Sequence, residues 1–447
     1  MNFQESVQYL FSLGRELAAP TQASAVKFNL ENIKILATRL GNPERKYSSV
    51  HIAGTNGKGS TAAFLESILR SSGYRTGLYT SPHLERINER IRVNGQEISD
   101  DLFASVFTRI HRDIEELLAD GTLRAHPTFF ECITALAFAH FADASVEFAV
   151  FETGLGGRLD STNIVTPRVS IITLIDYDHE NFLGHSLQEI AAEKAGIIKP
   201  GVPVVIAGQG REAREVLLKK ASELDSPVID TATAYETELQ EMLEGRVRET
   251  AREISSGERF TIAPQLAGRF QLQNALNAVA ASRVLQSQGT AIDKLNIERG
   301  IASAEWPGRI EKVHSGPDIY LDGAHNPSAA RELALFLEEN VRGKKIVIVF
   351  GALRDKAVDE IAGILFPLAA KVILTEPATP RSISAPQLSE IAGHHAARLE
   401  VIPNAETALG AALAQVSPSD VIVITGSLYL LGQLRHHWQS ATRAGAR

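Results

Sequence analysis

Cysteine is almost missing from this chain of 447 residues, and the single one, Cys132, excludes an internal disulfide framework and a cysteine-rich metal centre. Positive charge is not in surplus: 45 Lys and Arg stand against 53 Asp and Glu, for a net charge of −8. The basic face of a generic nucleic-acid or anionic-membrane binder is therefore absent, although a local basic pocket for a small anion is not excluded. Long apolar runs are missing too. Residues 133–151 come nearest, but His140, Asp143 and Glu147 interrupt them, far short of a membrane span. The first 17 residues carry Glu5, Arg15 and Glu16 and lack the basic start, apolar core and cleavage site of a signal peptide. The expectation is a soluble, cytoplasmic monomer whose partners are small molecules, with no nucleic acid and no membrane among them.

What is present suits a globular chain with a core, since 44% of residues are hydrophobic and 22% charged. The length exceeds one ordinary domain of about 100–200 residues. Short apolar runs followed by a glycine-bearing turn and a helix-period segment recur at 49–53, 146–151, 169–175 and 202–207. Runs of this kind read as strands buried on both faces, and their alternation with helices implies a parallel sheet. Between 231 and 263 the charges are dense and no period is clear, which suggests a surface hairpin or loop. A helical period returns at 276–285, and Trp306-Pro307-Gly308 breaks the chain. A second series follows, with strands expected at 319–321, 345–350, 371–375 and 421–425. The reading is α/β: an N-terminal, mostly parallel-sheet, phosphate-loop ATPase-like domain over 1–305 and a smaller Rossmann-like α/β domain over 306–447.

The sharpest motif is Gly54-Thr55-Asn56-Gly57-Lys58-Gly59-Ser60, between a strand and a helix. Small residues let successive backbone N–H groups converge on phosphate oxygens, the helix N-terminus adds a favourable field, and Lys58 supplies a point charge. In the strict phosphate loop Ser or Thr directly follows Lys; here Gly59 intervenes before Ser60. Further polar residues stand at the carboxyl ends of expected strands, where doubly wound sheets gather their ligands. They are Ser81 in Thr80-Ser81-Pro82-His83-Leu84, Glu152 before the glycine-rich 153–160 segment, and Asp178-His179. The Ser-Pro pair read alone is a turn, and His179 reads either as an unusual magnesium ligand or as an imidazole bonded to backbone.

Ser186 and Glu189 form a capping-box pattern, which places Leu187, Ile190, Ala191 and Lys194 on one helical face. Lys194 is then either a lysine extending its charge past an apolar stripe or one held at the metal edge with a lowered pKa. A neutral amine there could take up carbon dioxide as a carbamate. In the second half, Asp322-Gly323-Ala324-His325-Asn326-Pro327 follows a strand, so Asp322 suits a ribose hydroxyl or metal-bound water and His325 a phosphate; the alternative is an Asx-type turn.

Together these segments resemble the folylpolyglutamate synthase and dihydrofolate synthase family, a branch of the Mur ligase superfamily. The shared motifs run from about Phe28 to Arg435 and include 40–44, 54–60, 80–84 with 88–90, 152–163, 178–179, 193–198, 322–327, Phe350-Gly351, Asp355-Lys356 and 425–431. The Lys-Gly-Ser ending is similar to the folate branch rather than to cell-wall Mur ligases. The resemblance implies that Gly54, Thr55, Asn56, Gly57, Lys58, Gly59 and Ser60 hold ATP phosphates, with Asn274, Arg309, Asp322 and His325 completing the nucleotide site. It implies Mg2+ on Ser81, Glu152, His179 and a carbamoylated Lys194, with Lys58, Lys194 and His179 as the catalytic group. Thr128, Phe129, Phe130 and Glu131, with Leu159, Asp160 and Ser161, match positions that line the pteroate pocket of bifunctional members.

The implied reaction joins L-glutamate to dihydropteroate or to a tetrahydrofolate. A carboxylate does not accept an amine at neutral pH, so ATP would first convert it to an acyl phosphate. Alternatives are a folylpolyglutamate synthase alone, a cell-wall Mur ligase, and a phosphate-loop ATPase that ligates nothing.

Overall fold

A computed structural model describes residues 1–14, 29–243 and 245–445; Arg15, Glu16, Leu17 and Phe28 lie outside the described residues. Strands β1 (Ser48–Ala53), β2 (Thr76–Tyr79), β3 (Ile91–Val93), β4 (Gln96–Glu97), β5 (Phe148–Glu152), β6 (Val169–Ile172), β7 (Val204–Ile206) and β8 (Val228–Asp230) form one sheet in the order β4-β3-β2-β5-β1-β6-β7-β8. From β2 to β8 all neighbours are parallel, and β3 and β4 add an antiparallel edge. The apolar runs are buried because helices cover both faces. Val150 joins a core with the Lys58–Ser71 and Phe270–Ser287 helices, while its neighbours Ala149 and Phe151 pack with the Phe129–Asp143 helix. The chain leaves central β1 towards β2 on one side and returns to β6 on the other. The carboxyl ends of β1, β5 and β6 thus border the crevice where such a sheet receives ligands.

The 231–263 stretch is more ordered than its charge density suggests. Strands β9 (Tyr235–Leu243), β10 (Arg246–Glu253) and β11 (Arg259–Ile262) form an antiparallel sheet in the order β11-β10-β9. Val247, Glu249 and Ala251 alternate inward against exposed Arg246 and Arg248, and Tyr235, Ala251, Phe260 and Ile262 join the core beneath. The period of two was present, but long charged residues on the open face and the buried Glu249 hid it.

Strands β12 (Glu311–His314), β13 (Asp318–Leu321), β14 (Ile346–Phe350), β15 (Lys371–Glu376), β16 (Leu399–Asn404) and β17 (Val421–Thr425) form the third sheet, ordered β12-β13-β17-β14-β15-β16. Only the β12–β13 pair is antiparallel. Val347 and Val349 face one apolar cluster and Ile348 and Phe350 the other, which explains the unbroken hydrophobic run. β16 escapes the apolar pattern because it lies at the edge, with no residue fully buried. Among the described residues no helix is long and apolar enough to cross a membrane.

Candidate active site

The loop after β1 turns into the Lys58–Ser71 helix, whose N-terminus carries no side-chain cap. Its first amides have no acceptor within the helix, so they are donors for an anion. Gly57 is left-handed, at φ 86°, and a Cβ there would lie 2.2 Å from the Asn274 amide oxygen. A side chain would thus be both strained and obstructed. Gly59, the departure from the strict motif, has an equally local cause: a Cβ there would lie 2.9 Å from the indole of Trp306. Lys58 Nζ donates to Thr55 O at 3.1 Å, folding the side chain back over its own loop.

This loop forms one wall of a cavity of about 1350 Å3, open mouth included. Residues 54–60, Ser81, Glu152, Asp178, His179 and Lys194 line it from the first sheet; Asn274 comes from the Phe270–Ser287 helix, and Arg309, Asp322 and His325 come from the third sheet's side. All eleven residues assigned to the nucleotide and all four assigned to the metal therefore meet in one place.

Glu152 is buried, and its Oε2 accepts from the Ser81 backbone N–H at 3.2 Å. Burial raises its pKa, against the opposing effects of Lys58, Ser81, Arg309 and Arg90. Ser81 Oγ and His179 Nδ1 are both buried without a hydrogen-bond partner. Burial also lowers the His179 pKa to about 3, so its imidazole is neutral and can offer a lone pair. A desolvated carboxylate, an orphaned hydroxyl and an orphaned imidazole nitrogen around one cavity fit a divalent cation, which would supply the partners they lack.

The capping box of Ser186 and Glu189 starts the Leu187–Ala195 helix as the pattern predicts. Lys194 does not extend to bulk water. It is only 4% exposed, and Nζ donates to Gly54 O at 2.7 Å. Burial and the charge of Lys58 bring its pKa down to about 7, while Asp178 and Asp160 pull the other way.

Asp178 is not an open ligand. Lys356, on the loop after β14, donates to its Oδ1 at 2.7 Å, and both side chains are nearly buried. Burial opposes the Asp178 charge, yet Lys356, His179 and His325 hold the carboxyl well below the usual range. Asp355 Oδ2 stands 3.8 Å from His179 Nδ1, and Asn56 and Asn326 exchange side-chain hydrogen bonds at 3.0 and 3.3 Å. Lys356, Asn326 and Trp306 were not singled out as site residues from sequence. Asp355-Lys356 stood only among the shared motifs, because they come five and six residues after the end of β14, beyond the reach of the rule that a polar group just after a buried strand is a candidate.

Asp322 takes the turn geometry: Oδ1 accepts from Ala324 N–H and Oδ2 from Ile310 N–H, each at 2.9 Å. His325 is bonded through Nδ1 to Gly323 O at 2.7 Å, and burial lowers its pKa to about 4. Arg309 Nη1 donates to Gly308 O, in space left open by Gly323.

The residues matched to a pteroate pocket do not line this cavity. Thr128 and Glu131 form the capping box of the Phe129–Asp143 helix, and Phe129 and Ser161 are buried. Asp160 accepts from the backbone of Gly154, Leu155 and Thr162. Leu159 is half-buried in the same loop. Phe130 comes nearest, its ring occupying the space a Cβ on cavity-lining Gly154 would fill.

Two family models match the chain, the Mur ligase middle domain over residues 52–282 and the Mur ligase glutamate ligase domain over 308–428. A dihydrofolate synthase/folylpolyglutamate synthase of Bacillus subtilis is 37% identical over 427 residues, covering 92% of this chain and 95% of that one. The structure of Mycobacterium tuberculosis folylpolyglutamate synthase complexed with ADP superposes with a TM-score of 0.89 at 32% identity, over 97% of each chain. Escherichia coli FolC in complex with DHPP and ADP gives 0.85 at 28%, over 99% of each. With the uncapped phosphate loop and the shared cavity, these matches define an ATP-dependent, amide-forming ligase of the Mur type. The chain belongs to the folylpolyglutamate synthase/dihydrofolate synthase family of the Mur ligase superfamily.

Proposed function

We propose that the protein joins L-glutamate both to dihydropteroate and to reduced folates, using ATP and an acyl-phosphate intermediate. One observation carries this reading: a single cavity is lined by the phosphate loop, by the Ser81, Glu152, His179 and Lys194 group, and by Arg309, Asp322 and His325 from across the crevice. The loop amides and Lys58 bind and orient the phosphates of ATP, and Lys58 stabilises charge as the γ-phosphoryl group moves to the substrate carboxylate. The amine of glutamate then attacks the acyl carbon and phosphate leaves. Asn326 and Lys356 tie the third sheet's side to Asn56 and Asp178 of the first, holding together the two walls between which water would be kept from the acyl phosphate.

Ser81, Glu152 and His179 would hold Mg2+, with a carbamoylated Lys194 beside them. Such an ion, when bound, supplies positive charge to the phosphate oxygens. The low pKa of Lys194 supports carbamoylation, which needs a neutral amine. We place the domain boundary near Glu305, ahead of the Trp306-Pro307-Gly308 break, and the protein in the cytoplasm as a monomer.

A second reading is folylpolyglutamate synthase activity alone. It is favoured by the engagement of Thr128, Glu131 and Asp160 in local capping and bracing. Dihydropteroate and tetrahydrofolate assayed side by side with ATP, Mg2+ and glutamate, with products read by mass spectrometry, separate the two. Glutamylated tetrahydrofolate without any product from dihydropteroate would refute bifunctionality.

A further inference from the structure

Away from the cavity, the third sheet's helices bring two histidines and an aspartate together. Asp359 lies in the first turn of the Val358–Leu365 helix, and His394 and His395 end the short turn Gly393–His395 after the Ala385–Ala392 helix. Each offers one ligand atom, and all three atoms lie within 4.8 Å of one another; among the described residues this is the only such group of His, Cys, Asp or Glu. None of the three lines the cavity, and nothing in the ligase chemistry uses them.

The geometry points to a binding site for a zinc-type divalent cation, held by Asp359 and the Nε2 atoms of His394 and His395. A tetrahedral ion with bonds of about 2.0–2.1 Å to imidazole and carboxylate sets its ligand atoms about 3.3–3.4 Å apart. Here His395 Nε2 stands 3.0 Å, within hydrogen-bond distance, and His394 Nε2 3.6 Å from Asp359 Oδ1, so these two spacings each lie within a few tenths of an ångström of that value. Two imidazoles with one carboxylate favour Zn2+ and its neighbours over Mg2+, which prefers oxygen. The fourth position would be left to water.

The arrangement is built rather than incidental. Gly363 stands one turn beyond Asp359 on the same helix, and a Cβ there would lie 3.3 Å from the His395 ring. The bare helix surface lets that ring lie against it beside the carboxylate. The His395 side chain is accordingly 25% exposed, against 62% for His394, and the two ring centroids are 3.9 Å apart.

The test titrates untagged full-length protein with Zn2+ in excess Mg2+, which would fill the proposed site of Ser81, Glu152 and His179 in the cavity. One equivalent of Zn2+ should bind per chain. The double variant Asp359→Asn/His395→Gln should weaken binding more than about 100-fold, beyond the effect of losing an outer-shell partner. ATP-dependent ligation without zinc should be unchanged in that variant, since all three side chains lie outside the cavity. Co2+ in place of Zn2+ should give the intense visible bands of a tetrahedral site, and these should vanish in the variant. No saturable Zn2+ binding, or equal binding and equal cobalt bands in both proteins, would overturn the assignment.

Discussion

Replacing Lys194 with methionine should abolish ligation and yet stabilise the fold, by an amount that depends on pH. Its folded pKa of about 7 lies below the ordinary 10.5. Between those values the unfolded chain binds more protons at this position, so wild-type stability rises with pH, and the full penalty is present below about pH 7. At 1.36 kcal/mol per unit, the penalty is about 4 kcal/mol at pH 7 and about 2 kcal/mol at pH 9. Methionine keeps the apolar stem and removes this term. It also removes the 2.7 Å bond to Gly54 O, a loss of about 1 kcal/mol at either pH. The expected net gain is thus about 3 kcal/mol at pH 7, falling to about 1 kcal/mol at pH 9. Urea denaturation of both proteins at the two pH values, in buffers free of carbon dioxide and magnesium, measures it. A difference that stays constant from pH 7 to pH 9 would mean that Lys194 titrates as an ordinary amine, and the basis for its carbamoylation would fall. Added bicarbonate with Mg2+ should then stabilise the wild type and leave the variant unmoved.

Lys58→Ala should lose ATP-dependent ligation while circular dichroism and the urea midpoint stay near wild type, because among the described residues its side chain bonds only to the Thr55 carbonyl of its own loop. Lys356→Met should cost about 3–5 kcal/mol in urea denaturation by taking the lysine cation from buried Asp178, and Asp178→Asn on top should recover most of that. Because the Asp178 pKa is depressed, the pair's contribution should persist above the ordinary carboxylate range and disappear only as pH falls well below it. Gly59→Ser should cost about 1–3 kcal/mol of stability by overpacking against Trp306. The double variant with Trp306→Ala should show a coupling above about 0.5 kcal/mol, and strict additivity would mean that the indole is not the obstacle.

Much of the site was legible because parallel α/β sheets deliver their functional groups at strand ends. β1, β5, β6 and β13 could each be found from a mostly apolar run, and Gly54 after β1, Glu152 closing β5, Asp178 beyond β6 and Asp322 after β13 line the cavity. What could not be read is how those groups share partners. Asp178 and His179 stood side by side as candidate ligands, but Lys356, 178 residues later, takes the aspartate and reaches His179 Nε2 at 3.4 Å, while His179 Nδ1 has no hydrogen-bond partner. Nothing local to residues 178–179 encodes that choice; it depends on where the third sheet stands relative to the first. The antiparallel sheet at 235–262 was obscured for a different reason. Its outward residues are long and charged, so its composition resembles a loop while its alternation is that of a strand.

The same dependence on distant chain accounts for the unusual phosphate loop. Read locally, Gly59 is a defect, since it displaces the hydroxyl that normally follows the lysine. In the structure Trp306, from the break between the two α/β series, packs against the core of the first and lies over Gly59, with the Arg92 guanidinium 5.5 Å from its ring. The indole occupies the space that a side chain at 59 would need, and it stands only three residues before Arg309, which lines the cavity. Packing at Trp306 therefore sets where the chain carrying Arg309 begins, relative to the loop that receives phosphates. On this view the glycine preserves the seating of the tryptophan, and the loop's departure from the strict pattern and the position of the second wall have one physical cause.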